Sequence, residues 1–460
     1  MRKYVHERTD KIFITPYFSI DMIYTQELAA EVLELVEKTR LSEKEAIKKC
    51  LGGKINDYKI WGSVHAYVFE VLKRRNLIDL IIQKASGTNP RVINPFLRNL
   101  LRVAVYEMFF KNVHPALATD SAVRIAKKIG ERAAAFVNAV LRKAENVRIE
   151  EELEEIKRTS RRKYLSLKYF HPEWYVKIAE KVVENVEDLL IANLKQTIYV
   201  RANTLRKSPE NVVRYLEKNG VIVEETILPE VFKVLSYERP LTTLDRQDRD
   251  FVIQDLASCL VSYALNPEAG DVVVDLAAAP GSKTSHIAAL MENKGKIIAV
   301  DNSKERIERM KARLKKLGVK NVRIHLADGT KFRAEADKVL VDAPCSSTGA
   351  LRNYPSIKWR FSYELFRKTI VLQRKMLRNA ARIGDTVVYS TCSITFEENE
   401  GNLLKLLDVF KIEDTNLNFG ECGIRKFGKK VFPYADKVVR LYPHLHDTTG
   451  FFISKLKSKV

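Results

Sequence analysis

The stretch "VVVDLAAAPGSKTSHIAAL" (272–290) decides the fold. It reads as a buried strand, a tight loop of small residues and a helix. Further short apolar runs follow: "KIIAVD" (296–301), "VRIHLAD" (322–328), "KVLVDAP" (338–344) and "DTVVYST" (385–391). Helical stretches such as "SKERIERMKARLKKLG" (303–318) separate several of them. Strands that are apolar on both faces and alternate with helices predict a doubly wound, mostly parallel α/β sheet. "VVRLYPH" and "GFFISKL" near the end predict a closing hairpin.

In such a sheet the ligand sits outside the carboxyl ends of the strands. The small residues Ala277, Ala278 and Ala279, with Gly281, let backbone approach a ligand closely. The loop has neither G-x-G-x-x-G nor the phosphate-loop spacing, which argues against a dinucleotide and a nucleoside triphosphate. Asp301 ends the next strand, where a carboxylate can accept from both hydroxyls of a ribose. Asp328 ends the third and is placed for an adenine-facing contact. A ligand with ribose and adenine but no pyrophosphate suggests S-adenosylmethionine. One such Asp is often only a helix cap; a series at successive strand ends points to a site.

Two further strand ends carry cysteines, in "VDAPCSSTGA" (341–350) and "VVYSTCS" (387–393). Carbon 5 of cytosine can be methylated only after it is made nucleophilic, and a thiolate adding to carbon 6 does this. The reaction needs a cysteine, a donor at ring nitrogen 3 and a base. Asp342, three residues before Cys345, is placed to reach the base edge, and to donate it would have to be protonated, which burial permits. Amine methylation shows an Asp/Asn-Pro-Pro-aromatic loop here, whereas this chain has Asp-Ala-Pro-Cys. Taken singly, Cys345 and Cys392 read as small buried residues. Their pairing at adjacent strand ends favours chemistry, and spacing alone does not say which attacks.

The whole chain fits this reading. It has 460 residues and a formal net charge of +21, which favours a polyanionic partner such as nucleic acid. Five scattered cysteines with no C-x-x-C pair predict no metal site. No leader-like segment opens the chain, and no apolar run of about 18 residues occurs. A cytoplasmic protein with reduced thiols and no membrane contact is expected. Residues 1–145 read as all helix, with Ser42 and Glu45 at capping-box spacing. Residues 146–250 hold a charged segment, either linker or helix, and then a small α/β module around "IYVRANTL" (198–205) and "SPENVVRYLEKNG" (208–220). Residues 251–460 form the doubly wound region.

Together these motifs resemble the RNA cytosine-5 methyltransferases of the Sun/RsmB (Fmu) family. "DLAAAPGSKT" is similar to the family's cofactor loop, with Ser282 in place of a second glycine. "VDAPCSSTG" and "YSTCSITFEENE" resemble its two cysteine motifs, and "FVIQDLASCL", "LRNYPSIKWRF" and "HDTTGFFISKL" its flanking motifs. Tyr354 stands where a histidine is common. The resemblance implies a class I S-adenosylmethionine-dependent fold and cofactor contacts from Ala277, Ala278, Ala279, Pro280, Gly281, Ser282, Lys283, Asp301, Arg306, Asp328 and Asp342. It implies that Cys392 is the nucleophile and that Cys345 helps release the product. The helical region resembles the NusB-like domain of RsmB-type members, and the middle module an RRM-like subdomain. Arg201, Asn203 and Lys358 are then candidates for RNA contact. Ribosomal RNA is favoured over transfer RNA, and a monomer is expected. The rivals are a non-catalytic RNA-binding scaffold, against which the intact Cys345, Cys392 and Asp342 argue, and an amine methyltransferase.

Overall fold

The computed structural model describes residues 20–460 apart from 40, 54 and 56, so the opening stretch read for a leader lies outside it. The described chain divides into two compact units. No helix among the described residues is long and apolar enough to cross a membrane.

The first unit holds residues up to Lys177 together with Tyr354–Arg360. Its main helices are Ile20–Lys38, Glu43–Leu51, Tyr58–Ser86, Pro95–Phe110, Pro115–Lys127 and Glu131–Ala144. The expected capping box forms, with the Ser42 and Glu45 side chains each accepting from the other's backbone amide. The charged segment after 145 is helical too: Ile149–Thr159 and Arg161–Lys168 are broken at Ser160, whose hydroxyl accepts from Lys163 N. Ile149, Leu153, Leu165 and Leu167 are buried, which makes this segment part of the helical unit rather than a linker. These two short helices follow residue 145 within the first compact unit.

The second unit begins with a small antiparallel sheet. Its strands are β1 (Ile198–Ala202), β2 (Val221–Glu225), β3 (Val231–Tyr237) and β4 (Phe251–Ile253), in the order β2-β3-β1-β4. The helix Pro209–Glu217 packs Val212 and Leu216 against Val200, Phe232 and Phe251. Residues 251–253 were expected to open the catalytic region; they instead complete this smaller sheet, because Phe251 belongs to its core.

The large sheet contains β5 (Val272–Asp275), β6 (Lys296–Asp301), β7 (Val322–Leu326), β8 (Ala336–Asp342), β9 (Gly384–Thr391) and β10 (Phe410–Glu413). The short strands β11 (Glu421–Cys422), β12 (Lys426–Phe427) and β13 (Lys430–Val431) precede β14 (Val439–Leu441) and β15 (Phe451–Ser458). The order is β7-β6-β5-β8-β9-β15-β14-β11, with β10 beside β15 and β12 paired only with β13. Pairing is parallel from β7 to β9 and antiparallel thereafter. The predicted hairpin is present, with β15 inserted between β14 and β9. Val274, Val300, Val341 and Tyr389 pack one face against helix Tyr363–Ala380; Val273, Ile297, Leu340 and Val388 pack the other against Leu256–Leu265 and Ser282–Leu290. Burial on both faces explains why these strands are continuously apolar. The chain runs from β5 outward to β6 and β7, then returns to β8 on the other side. That reversal opens a crevice at the carboxyl ends of β5 and β8.

Candidate active site

The loop after β5 is tightly internally bonded. Ala278 N donates to Val300 O (2.9 Å), Gly281 N to Ala278 O (2.7 Å) and Ala279 N to the Asp301 carboxylate (3.2 Å). Gly281 has φ +93°, and a Cβ there would stand 2.9 Å from Met310 Cγ, so glycine is required twice over. Ser282, which replaces the family's glycine, accepts from Arg313 through its hydroxyl (2.7 Å).

Asp301 is buried and aimed by two backbone amides, Ala279 N and Ser303 N (3.0 Å). Arg306 lies 3.3 Å from it and also donates to the Ala279 carbonyl. Each carboxylate oxygen retains capacity for a further hydroxyl donor, so a ribose diol fits this group. Asp328 is exposed, and backbone and hydroxyl hydrogen bonds from Thr330 hold its carboxyl below the usual range. A Cβ on its neighbour Gly329 would lie 2.6 Å from Leu276 O, which brings this loop to the end of β5. The arrangement of Asp301, Asp328 and the small-residue loop thus suits a nucleoside.

Lys283 donates to Asp342 Oδ2 at 2.7 Å, and Ser390 Oγ donates to Oδ1 at 2.8 Å. Burial disfavours the Lys283 ammonium, but the Asp342 carboxylate outweighs it and holds Lys283 above its usual range. The sequence reading cast Asp342 as a protonated donor. Here it accepts at both oxygens, and the cationic donor beside it is Lys283. Beneath them Asp275 is fully buried and accepts from Thr284 (2.8 Å); its other oxygen has no hydrogen-bond partner. Burial, with Asp342 repulsion added, pushes its carboxyl up to about 7.

The two cysteines meet. Cys345 and Cys392 sulfurs are 3.3 Å apart, and Ser347 Oγ lies 3.4 Å from Cys392. Their proton affinities are opposed. The hydrogen bond shared with Cys345, helped by that with Ser347, holds Cys392 below the usual thiol range despite its burial. The same shared bond, then burial, the Cys392 charge and, last, the Glu398 charge push Cys345 well above it. The shared bond thus favours a thiolate at one sulfur and a thiol at the other. Cys259, buried in the core, and exposed Cys422 and half-buried Cys50 lie elsewhere. Among the described residues no cluster of three or more His, Cys, Asp or Glu could hold a metal ion.

The three residues expected at an RNA surface are buried. Arg201 is 0% exposed and donates to Gln254 (3.0 Å) and Ser285 (2.9 Å). Asn203 donates to the carbonyls of Arg249 (2.6 Å) and Leu317 (2.8 Å), tying the small module to the helix Lys304–Leu317. Lys358, in the helical unit, donates to the carbonyls of Phe170 (2.9 Å) and Lys73 (3.3 Å). Burial, with Lys73 and Arg74 nearby, pushes it well below the usual lysine range. These side chains are held inside the fold, although Nη1 of Arg201 is buried without a hydrogen-bond partner. Sequence reading also passed over Glu398, Ser347 and Ser390; Glu398 stands in an acidic run that reads as a solvated surface.

Comparisons with known proteins agree with this geometry. The family model described as 16S rRNA methyltransferase RsmB/F matches residues 262–457, and the NusB family model matches 24–146. A tRNA (cytosine(72)-C(5))-methyltransferase of Pyrococcus horikoshii is 38% identical over 52% of this chain and 59% of its own length. A probable ribosomal RNA small subunit methyltransferase B of Bacillus subtilis is 28% identical over 94% of this chain and 98% of its own. The crystal structure of PH0851 superposes with a TM-score of 0.80 at 30% identity, covering 96% of this chain and 99% of that one. The chain belongs to the RsmB/F family of RNA cytosine-5 methyltransferases, enzymes that use a methyl donor of the S-adenosylmethionine type, and carries a NusB-family domain ahead of its catalytic region.

Proposed function

We propose that this chain methylates carbon 5 of a cytosine in ribosomal RNA, using S-adenosylmethionine, with Cys392 as nucleophile and Cys345 as the residue that assists release. The observation that carries the reading is the pair of sulfurs 3.3 Å apart with opposed proton affinities. Ala277 through Lys283, Asp301, Arg306 and Asp328 would hold the cofactor, which when bound supplies an electrophilic methyl group.

The Cys392 thiolate adds to carbon 6 of the cytosine, and negative charge spreads onto the ring. The Lys283 ammonium, oriented by Asp342, neutralises that charge at the acceptor edge of the base. Carbon 5 takes the methyl group. With Cys392 bonded to carbon 6, the shared bond and its charge no longer hold Cys345 protonated; Cys345, its own proton passed to solvent, takes the carbon-5 proton, which re-forms the ring double bond and expels Cys392 as thiolate. A cytosine within a helix must first be flipped out.

Ribosomal RNA is favoured because the relative matched end to end, helical region included, is a probable ribosomal RNA enzyme. The tRNA relative matches half of this chain. The test incubates full-length protein, labelled cofactor and either ribosomal or transfer RNA, followed by nucleoside analysis. Label in 5-methylcytidine from ribosomal RNA is expected; label from transfer RNA alone reverses the substrate assignment. Cys392→Ala should abolish label and Cys345→Ala should accumulate a protein–RNA adduct on a denaturing gel. The opposite pattern reverses the roles, and RNA binding without label supports a scaffold.

A further inference from the structure

One buried acid touches both cysteine loops and takes no part in the steps above. Glu398 is 0% exposed. Its carboxylate accepts from the Ser346 amide (2.7 Å) and the Ser346 hydroxyl (2.5 Å), on the loop that carries Cys345. It also accepts from Thr395 Oγ1 (3.1 Å), on the loop that follows Cys392. Gln373 Nε2, from helix Tyr363–Ala380, donates both to Glu398 (3.1 Å) and to the Pro344 carbonyl (2.9 Å). A carboxylate carries only acceptors, so all four donors converge on one anion. A buried anion is costly unless fully hydrogen-bonded, and here it is. Glutamate is the residue that can satisfy four donors at once; a glutamine would present two hydrogens to some of them.

We propose that Glu398 is the positioning residue of the cysteine pair: its buried carboxylate pins the Pro-Cys loop to the Thr-Cys-Ser loop and keeps negative charge beside Cys345. Two consequences follow. The clamp holds the sulfurs within contact, where one thiol can serve the other. The fixed charge adds to the asymmetry between them, because Glu398 repels a thiolate at Cys345 beyond what the shared bond, burial and the Cys392 charge already impose. The inference rests on the proposed roles of the two cysteines and assigns what enforces them.

The test reads the sulfurs directly and needs neither RNA nor cofactor. Full-length protein is treated with limiting iodoacetamide across pH 6 to 10, and each cysteine's modification is quantified by peptide mass. In the wild-type chain Cys392 should react first. In Glu398→Gln, which keeps the shape and removes the charge, the preference for Cys392 over Cys345 should fall about tenfold, one pH unit of relative acidity. The Cys345 profile should move to lower pH. Ser346→Ala, which removes one arm of the clamp and keeps the charge, should loosen the preference less and leave the Cys345 midpoint nearly unmoved. It carries the test if Glu398→Gln does not fold. An unchanged preference and unchanged profiles in Glu398→Gln, or in Ser346→Ala where only that variant folds, overturn the proposal. Wild-type modification at Cys345 before Cys392 would instead refute the nucleophile assignment beneath it.

Discussion

Gly349 closes the Pro-Cys loop, and its replacement by alanine is the sharpest single perturbation of the site. Its amide donates to the Cys392 carbonyl at 2.9 Å, and its own carbonyl accepts from the Gly450 amide at 2.9 Å. A Cβ at position 349 would stand 2.0 Å from the Gly450 oxygen and 2.6 Å from its carbonyl carbon. Both obstacles are backbone, so no side-chain rotation relieves them. Restoring ordinary contact moves the two segments apart by roughly 1.4 Å in an interior that is close-packed. Overpacking of this kind costs about 1–3 kcal/mol, and two lengthened hydrogen bonds add about 1 kcal/mol each. Because Gly349 holds the Cys392 backbone directly, the displacement passes to the sulfur pair. A misplacement near 1 Å costs on the order of 100-fold in rate. Gly349→Ala should therefore lower methyl transfer about 100-fold and lower the melting temperature measurably. The assay is single-turnover methylation beside thermal melting and Cys392 alkylation. Turnover within threefold of wild type, or a lowered melting temperature with unaltered Cys392 reactivity, would refute the reasoning, since the strain would then be absorbed away from the cysteines.

Asp275→Asn should stabilise the chain increasingly as pH rises. The folded carboxyl, pushed up by burial to about 7, lies above the ordinary value of about 3.9, so its ionisation cost is absent below about pH 4 and complete above about pH 7. Melting curves at pH 5 and pH 8 should separate the two proteins by a few kcal/mol more at the higher pH, and parallel curves would count against it. Lys283→Met removes the ammonium from Asp342 and should slow adduct formation on a 5-fluorocytidine-containing RNA by about 100-fold; a wild-type rate would mean the ring is polarised from elsewhere. Asp301→Asn should weaken S-adenosylmethionine binding about tenfold or more by calorimetry, because the amides of Ala279 and Ser303 then compete for a single acceptor oxygen.

The core of the large sheet was legible because the inner parts of β5, β6, β8 and β9 are buried on both faces and therefore apolar, with helical periodicity between them. The cysteine pair was legible as a pair because both thiols follow apolar runs. What escaped was whatever depends on tertiary burial. Arg201, Asn203 and Lys358 are polar residues of the kind found at RNA surfaces, yet each is capped by carbonyls or side chains from segments remote in sequence. Glu398 went unremarked: it stands among neighbouring acids, yet Ser346, more than fifty positions away, holds it inside. The two helices after residue 145 were hard to tell from a linker for the same reason. A run of Glu, Lys and Arg conceals Ile149, Leu153, Leu165 and Leu167, a sparse apolar stripe sufficient to dock two short helices.

The pairing of two thiols follows from sheet register. β8 and β9 are parallel neighbours, and Asp342 stands opposite Ser390. Parallel strands deliver their trailing loops to the same edge of the sheet, so residues two and three positions beyond that pair emerge together. Cys345 and Cys392 occupy those positions, and Gly349 and Glu398 then draw the two loops into contact. A lone cysteine at the end of β9 would be raised by burial, as Cys259 is, where desolvation pushes the thiol far above its usual range. The second sulfur supplies a hydrogen bond that offsets that cost at Cys392. On the proposed assignment the second thiol therefore acts before any adduct exists: with Ser347 and Lys283 it favours the thiolate of half-buried Cys392.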